Sequence, residues 1–268
     1  MSGCRPAILI LVLILCPLMA QARLTLAGRP TQGGLVRGKV PPGTRVLYGE
    51  RLLRLTADGE FILGFGRDAE PRQTLTLVAP DGRVSTEEVR IGQRHYRIQR
   101  INGISREMME PTAEDLKRIE TDAELVEKAR QVDSDLPDYL ETFIWPVKGP
   151  ITGVYGSQRI LNGEAHRPHY GVDISAPVGT PVVAPAGGIV TLAHPGMFFS
   201  GATLVIDHGH GLSSSFLHLS KILVNPGDRV TQGQLIARVG ASGRVTGPHL
   251  DWRINWFSVR LDPQLFFP

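Results

Sequence analysis

The chain has 268 residues, 42% hydrophobic and 21% charged, with a formal net charge of +3. That balance excludes a disordered or collagen-like chain, and the length accommodates one large or two modest domains. Aromatic residues make up 6% and form no basic-aromatic stripe, which argues against a nucleic-acid partner.

Residues 1–22 read as a secretory signal. Arg5 supplies the positive start, Ala7 to Met19 is an apolar run broken at Cys16 and Pro17, and Ala20-Gln21-Ala22 offers a small-x-small cleavage site. The run falls short of the roughly 20 apolar residues of a membrane span. An uncleaved anchor is the alternative, and membrane contact is expected only in that case. Cleavage removes Cys4 and Cys16, the only cysteines, so neither a disulfide nor a cysteine ligand is expected. The mature protein is expected to be exported, periplasmic or cell-wall associated.

Residues 23–103 predict a small all-β accessory domain. Arg45-Val46-Leu47-Tyr48 and Gln73 to Val78 read as strands, separated by turn signals at Pro41-Pro42-Gly43, Ala57-Asp58-Gly59 and Pro80-Asp81-Gly82. His95 stands alone there and reads as a surface or structural residue.

Residues 104–142 predict a helical connector. Thr112 is the expected N-cap with Asp115 three residues on. Leu116, Ile119, Ala123 and Val126 recur at helical spacing. Lys117, Arg118, Glu120, Asp122, Glu124 and Glu127 are expected on a solvated face.

Residues 143–268 alternate short β-branched runs with glycine turns, which predicts an antiparallel β core. Seven of the eight histidines fall between His166 and His249, where the acids are Asp173, Asp207 and Asp228 alone. A histidine-rich, cysteine-free, acid-poor domain suggests a metal site with nitrogen and oxygen ligands. His169 and Asp173 are four apart. His218 lies in an apolar run. His249 and Asp251 are two apart and share one face of a strand, with Leu250 and Trp252 on the other. Each piece alone is weak: a lone histidine in a strand is more often a packed core residue.

Together, and in this order, they resemble the lysostaphin-type zinc metalloendopeptidase family (peptidase family M23, the LytM domain). The matching residues are His169-x-x-x-Asp173, Gly179-Thr180-Pro181-Val182, His218-Leu219-Ser220, Val224-x-Pro226-Gly227-Asp228-x-Val230-x-x-Gly233-Gln234, Gly240-x-x-Gly243 and Gly247-Pro248-His249-Leu250. The resemblance covers nearly half the chain. It implies a mainly β fold, with an antiparallel β-sheet peptidase domain of lysostaphin type after the accessory domain and connector. It also implies one Zn²⁺ per chain, peptidoglycan peptides as substrate, and His169 and Asp173 as metal ligands. His218 and His249 are then the catalytic histidines.

The family's third ligand is the second histidine of His-x-His, and here Asp251 stands in its place. Three readings are open. Asp251 binds the metal through a carboxylate oxygen; or His249 or His210 supplies the ligand; or the site is degenerate. In the last case the domain binds cell wall and activates an amidase, or serves the division machinery as a scaffold. With Asp251 as ligand, two carboxylates formally neutralise the dication. A higher pH optimum, or use of a harder metal, is then expected.

Other residues carry less. Arg159, Asn162, Glu164, His166, Arg167 and Tyr170 lie in the approach to His169, where a loop lines a groove or is simply polar surface. His194 precedes Pro195-Gly196 and reads as a turn residue. Asp207 and His208 read as organisers of a turn behind the site. Asn255 and Trp256 support the strand of Asp251 or pack. The Gly179-Thr-Pro-Val phrase also resembles a lipoyl or biotinyl carrier. That needs a lysine in a tight hairpin, and Lys221, the one lysine beyond Lys148, has no such setting.

Overall fold

The computed structural model describes residues 24–101 and 111–267. The signal-peptide expectation lies outside them, as does the start of the connector.

The N-terminal β segment holds β1 (Thr25–Gly28), β2 (Leu35–Lys39), β3 (Arg45–Tyr48), β4 (Arg51–Leu52), β5 (Glu60–Gly64), β6 (Arg72–Val78), β7 (Val84–Arg90) and β8 (Ile98–Ile101). Strands β1, β2 and β5 form one sheet, and β3, β4, β6 and β7 a second. Both are antiparallel. Alternation explains the packing: Val46, Leu75 and Leu77 are buried, while the exposed edge β7 carries Glu87, Glu88 and Arg90.

Helix α1 (Ala113–Arg130) begins with Thr112 as N-cap. Thr112 Oγ1 accepts from the Asp115 amide, and the Asp115 carboxylate accepts from the Thr112 amide. Its packed face differs from the expected one. Leu116 is 55% exposed, whereas Ile119, Asp122, Val126, Ala129 and Arg130 turn toward the protein. Asp122, expected on the solvated face, accepts from the Phe198 amide at 2.7 Å. With so many charged residues, the apolar pattern is too thin to set the helix's rotation. Hydrogen bonds to β-strand backbone set it instead.

The remainder comprises β9 (Ile151–Gly153), β10 (Gln158–Leu161), β11 (Glu164–Ala165), β12 (Val172–Ser175), β13 (Pro181–Val183), β14 (Gly188–Met197), β15 (Gly201–Gly209), β16 (Leu212–Ile222), β17 (Arg229–Val230), β18 (Leu235–Val239), β19 (His249–Trp256) and β20 (Val259–Leu261). Ten of them form one sheet along the path β17-β14-β15-β16-β19-β12-β9, with β13, β18 and β20 attached. Its ladders are antiparallel. Strand β8 pairs in parallel with β10, so the N-terminal segment reaches the loop before His169.

Register divides the sheet into two faces. The cross-strand pairs Leu204↔Phe216, Phe216↔Trp252 and Ile174↔Leu250 bring fully buried apolar side chains together on one face. Trp145 closes over this face, edge-on to Trp252 at 5.7 Å and stacked on Phe267 at 4.4 Å. The opposite face carries Asp173, Asp251, Arg253, Ser215 and Asp207, through the pairs Asp173↔Asp251, Ser215↔Arg253 and Asp207↔Ser213. Helix α1 and its continuation pack there: Arg130 donates to Ser215 Oγ at 3.1 Å, and Ser134 Oγ to Asp207 at 2.5 Å. The N-terminal segment docks at the end of β19, with Tyr48 against Trp256 and Arg94 bonded to Asp262 at 2.8 Å.

Candidate metal centre

Asp173 on β12 and Asp251 on β19 are directly opposed across the ladder, and His169 enters from the loop before β12. One ligand atom from each of the three lies within 4.8 Å of the others. His169 Nε2 is buried and makes no hydrogen bond, yet it lies 3.0 Å from Asp173 Oδ1 and 3.5 Å from Asp251 Oδ2. His169 Nδ1 faces the Val154 carbonyl at 3.3 Å. A proton on Nδ1 directed at that carbonyl leaves the Nε2 lone pair aimed between the carboxylates, the tautomer a metal requires.

Electrostatics agree. Burial pushes the His169 imidazole down, but contact with Asp173 and Asp251 outweighs it and raises the pKa to about 9. Two carboxylates facing one buried nitrogen demand a cation, whether proton or metal. Burial likewise pushes the Asp251 carboxyl up, and the Arg253 charge followed by His169 holds it well below the usual carboxylate range. Donor set, spacing and the orphaned Nε2 all fit a divalent ion bound by one nitrogen and two oxygens.

Close backbone approach makes this packing possible. A Cβ on Gly171 would lie 2.5 Å from Asp251 Oδ1 and 2.6 Å from Arg253 Cγ, and one on Gly153 would overlap Asp173 Oδ2. Sequence reasoning passed over both glycines. The x-Gly-x spacing inside His169-x-x-x-Asp173 was the available signal for Gly171.

His218 has a left-handed backbone, φ +63. Few non-glycine residues adopt it, and functional sites are where it concentrates. Register places Leu217 opposite Asp251, and the turn at His218 breaks the alternation. The imidazole then comes to 4.9 Å from His249, centroid to centroid. His218 Nδ1 faces the Ser242 carbonyl at 2.9 Å, and His249 Nδ1 the Gly247 carbonyl at 2.8 Å. Protons held there leave Nε2 of each ring free to accept. Burial, its largest influence, lowers the His218 pKa, so this ring is neutral near pH 7. His249 Nε2 lies 3.8 Å from Asp173 Oδ1, beside the three-residue group.

The other sequence candidates fall elsewhere. His210 stacks on Tyr139 at 4.3 Å, at the far end of the β15–β16 hairpin, and is no part of the metal group. Asp207 and His208 precede the β15–β16 turn, and the Asp207 carboxylate accepts from the Gly209 amide at 3.1 Å. They are buried within β15, where His208 bridges the Gly187 carbonyl at 2.6 Å and Ser214 Oγ at 2.9 Å. His194 is likewise inside β14. Asn255 and Trp256 are buried in β19. Arg159 approaches Asp173 to 3.6 Å. Tyr170 and Arg167 line a cleft of about 500 Å³ with Arg67 and Arg260. Sequence reasoning missed Arg253, whose guanidinium forks onto Asp251.

This is a mainly β protein with a His-Asp-Asp group on an antiparallel sheet. Residues 167–263 match the model of peptidase family M23. A Pseudomonas aeruginosa protein assigned to peptidase M23 has a crystal structure that superposes with a TM-score of 0.71 at 31% identity, covering 89% of this chain and 95% of that one. The peptidoglycan DD-endopeptidase ShyA of Vibrio cholerae serotype O1 is 45% identical over 89 residues, 32% of this chain and 20% of its own. The lipoprotein NlpD/LppB homolog of Pseudomonas aeruginosa is 34% identical over 124 residues, 46% of this chain and 39% of its own. The chain belongs to peptidase family M23. It matches about a fifth of ShyA's length and two fifths of the lipoprotein's.

Proposed function

We propose that this chain is an exported zinc metalloendopeptidase that hydrolyses peptide bonds of bacterial peptidoglycan, in cross-links or stem peptides. One observation carries the reading. Two imidazoles, His218 and His249, each with Nδ1 facing a carbonyl and Nε2 free, stand beside a buried His-Asp-Asp group.

His169, Asp173 and Asp251 would hold the zinc. Bound zinc supplies a Lewis acid that polarises the amide carbonyl and makes water acidic near neutral pH. His218, neutral and with Nε2 free, takes the proton of the attacking water. His249, once protonated at Nε2, donates to the carbonyl oxygen or the departing amine. In this reading residues 1–22 direct export, residues 23–103 are an accessory domain, and residues 104–142 connect it to the peptidase domain at 143–268.

Purified sacculi incubated with the mature protein, with and without chelator, test the proposal through mass spectrometry of the released fragments. Peptide-cleaved muropeptides that disappear with chelator are expected. Release only after an amidase is added would establish the alternative, a wall-binding domain that activates an amidase or acts in division. The tight Arg253 fork on Asp251 is the feature that favours that alternative.

A further inference from the structure

Asp251 and Arg253 are two apart on β19 and lie on one face of the sheet. Arg253 Nε donates to Asp251 Oδ1 at 2.9 Å and to Oδ2 at 3.1 Å, and Nη2 to Oδ2 at 2.5 Å. The carboxylate is 4% exposed and the guanidinium 24%. A carboxylate has about four lone-pair sites, so a fork occupying part of them leaves Oδ2 able to face His169 as well. The other ligand carboxylate has no such partner. Arg159 reaches Asp173 only to 3.6 Å, and at 38% exposure its charge is screened. Arg130 bonds to Ser215, the cross-strand neighbour of Arg253, and does not touch Asp251.

We propose that Arg253 is a charge-setting residue of the metal centre: paired with it, Asp251 presents the metal with the net charge of a neutral imidazole. A dication held by one histidine and two carboxylates has no formal charge left, and so little pull on a substrate carbonyl. The guanidinium returns one positive charge within hydrogen-bond distance of the ligand. The expectation of a less electrophilic centre counted two anionic ligands and omitted this cation. The inference rests on Asp251 being a ligand.

Zinc affinity, measured by competition with a chromophoric chelator, tests it alongside peptide cleavage at saturating zinc. Arg253→Met leaves Asp251 a full anion. Its zinc Kd is expected to fall about tenfold, because the dication then meets an uncompensated carboxylate, while kcat drops about tenfold or more with little change in KM. Arg253→Lys keeps the charge and is expected to stay near wild type in Kd. Weaker or unchanged zinc binding by Arg253→Met overturns the proposal, as does a lysine variant that matches it. If Arg253→Met fails to fold, the complementary pair gives the same reading. Asp251→His places an imidazole beside an unpaired guanidinium and is expected to weaken zinc at least about tenfold, and adding Arg253→Met is expected to recover the loss. A double variant that binds zinc no better than Asp251→His overturns the proposal. Asp251→Ala separates the two levels. If it leaves zinc affinity unchanged, Asp251 is not a ligand; if it lowers affinity while Arg253→Met does not raise it, only the charge argument fails.

Discussion

Asp173 and Asp251 face each other as a directly opposed pair across β12 and β19. Like charges in that position destabilise a sheet. His169 Nε2, at 3.0 and 3.5 Å from them, offers relief only when protonated. A bound dication therefore acts on the fold as well as on the chemistry. Zinc at a hundred times its Kd should add about 2.7 kcal/mol to the stability of the wild type. Asp173→Asn removes the opposed charge. Near neutral pH its metal-free form also loses the contact with protonated His169, so it should melt earlier than the metal-free wild type, and it should respond little to zinc. Thermal melts in chelator and in zinc check both; a variant that gains as much from zinc as the wild type does would show that Asp173 is not a ligand.

His218 and His249 touch the proposed reaction without holding the metal. Replacing either by alanine should lower kcat/KM by about 10² to 10⁴. Zinc content should remain that of the wild type, because neither side chain belongs to the His169, Asp173 and Asp251 group. Metal analysis beside kinetics on soluble muropeptides reads both quantities. Loss of zinc in His249→Ala would move His249 into the ligand set.

Gly171 holds its place through close approach alone. Its hypothetical Cβ meets Asp251 Oδ1 at 2.5 Å, Arg253 Cγ at 2.6 Å and the Trp252 carbonyl at 2.7 Å. Gly171→Ala should cost about 1–3 kcal/mol as overpacking in a rigid sheet. Because the displaced Asp251 carboxylate is a proposed ligand, zinc affinity should fall about tenfold or more. Urea titration and chelator competition on the same protein check the two effects. Gly163, which has open space around the same hypothetical atom, serves as the control position for the metal effect.

The grouping of His169, Asp173 and Asp251 was legible through the family resemblance: Asp173 follows His169 by four positions, and Asp251 stands where the family's second histidine follows the first. The role of Arg253 was not, although it stands only two residues further on. Any strand places i and i+2 on one face, so nothing in the spacing marks a fork onto Asp251. Arg130 was illegible for a different reason. A buried arginine at the end of a charged helix reads as solvated until Ser215, 85 residues away, is brought beneath it. His208 misled because Asp-His-Gly-His does lead into a turn, but the turn begins only at His210, and His208 lies buried on the strand before it.

That burial has a measurable consequence. His208 stands edge-on to Phe143 at 5.1 Å, and its nitrogens are taken by the Gly187 carbonyl and Ser214 Oγ. Burial pushes the imidazole down to about 4, against about 6.5 in an unfolded chain. Between those values the unfolded state binds the extra proton, so stability is full above about pH 6.5 and falls as pH drops toward 4. From pH 7 to pH 5 the loss due to this residue should be roughly 2 kcal/mol. His208→Gln keeps a polar side chain but no titration. Its metal-free form should be less stable than the wild type at pH 7, yet lose roughly 2 kcal/mol less on going to pH 5. Urea unfolding of both metal-free proteins at the two pH values gives the difference directly, and because both proteins share every other titrating group, only His208 contributes to it. Equal losses would mean that the His208 ring takes up its proton as readily in the folded state as in the unfolded chain, with Ser214 and Gly187 both accepting from it.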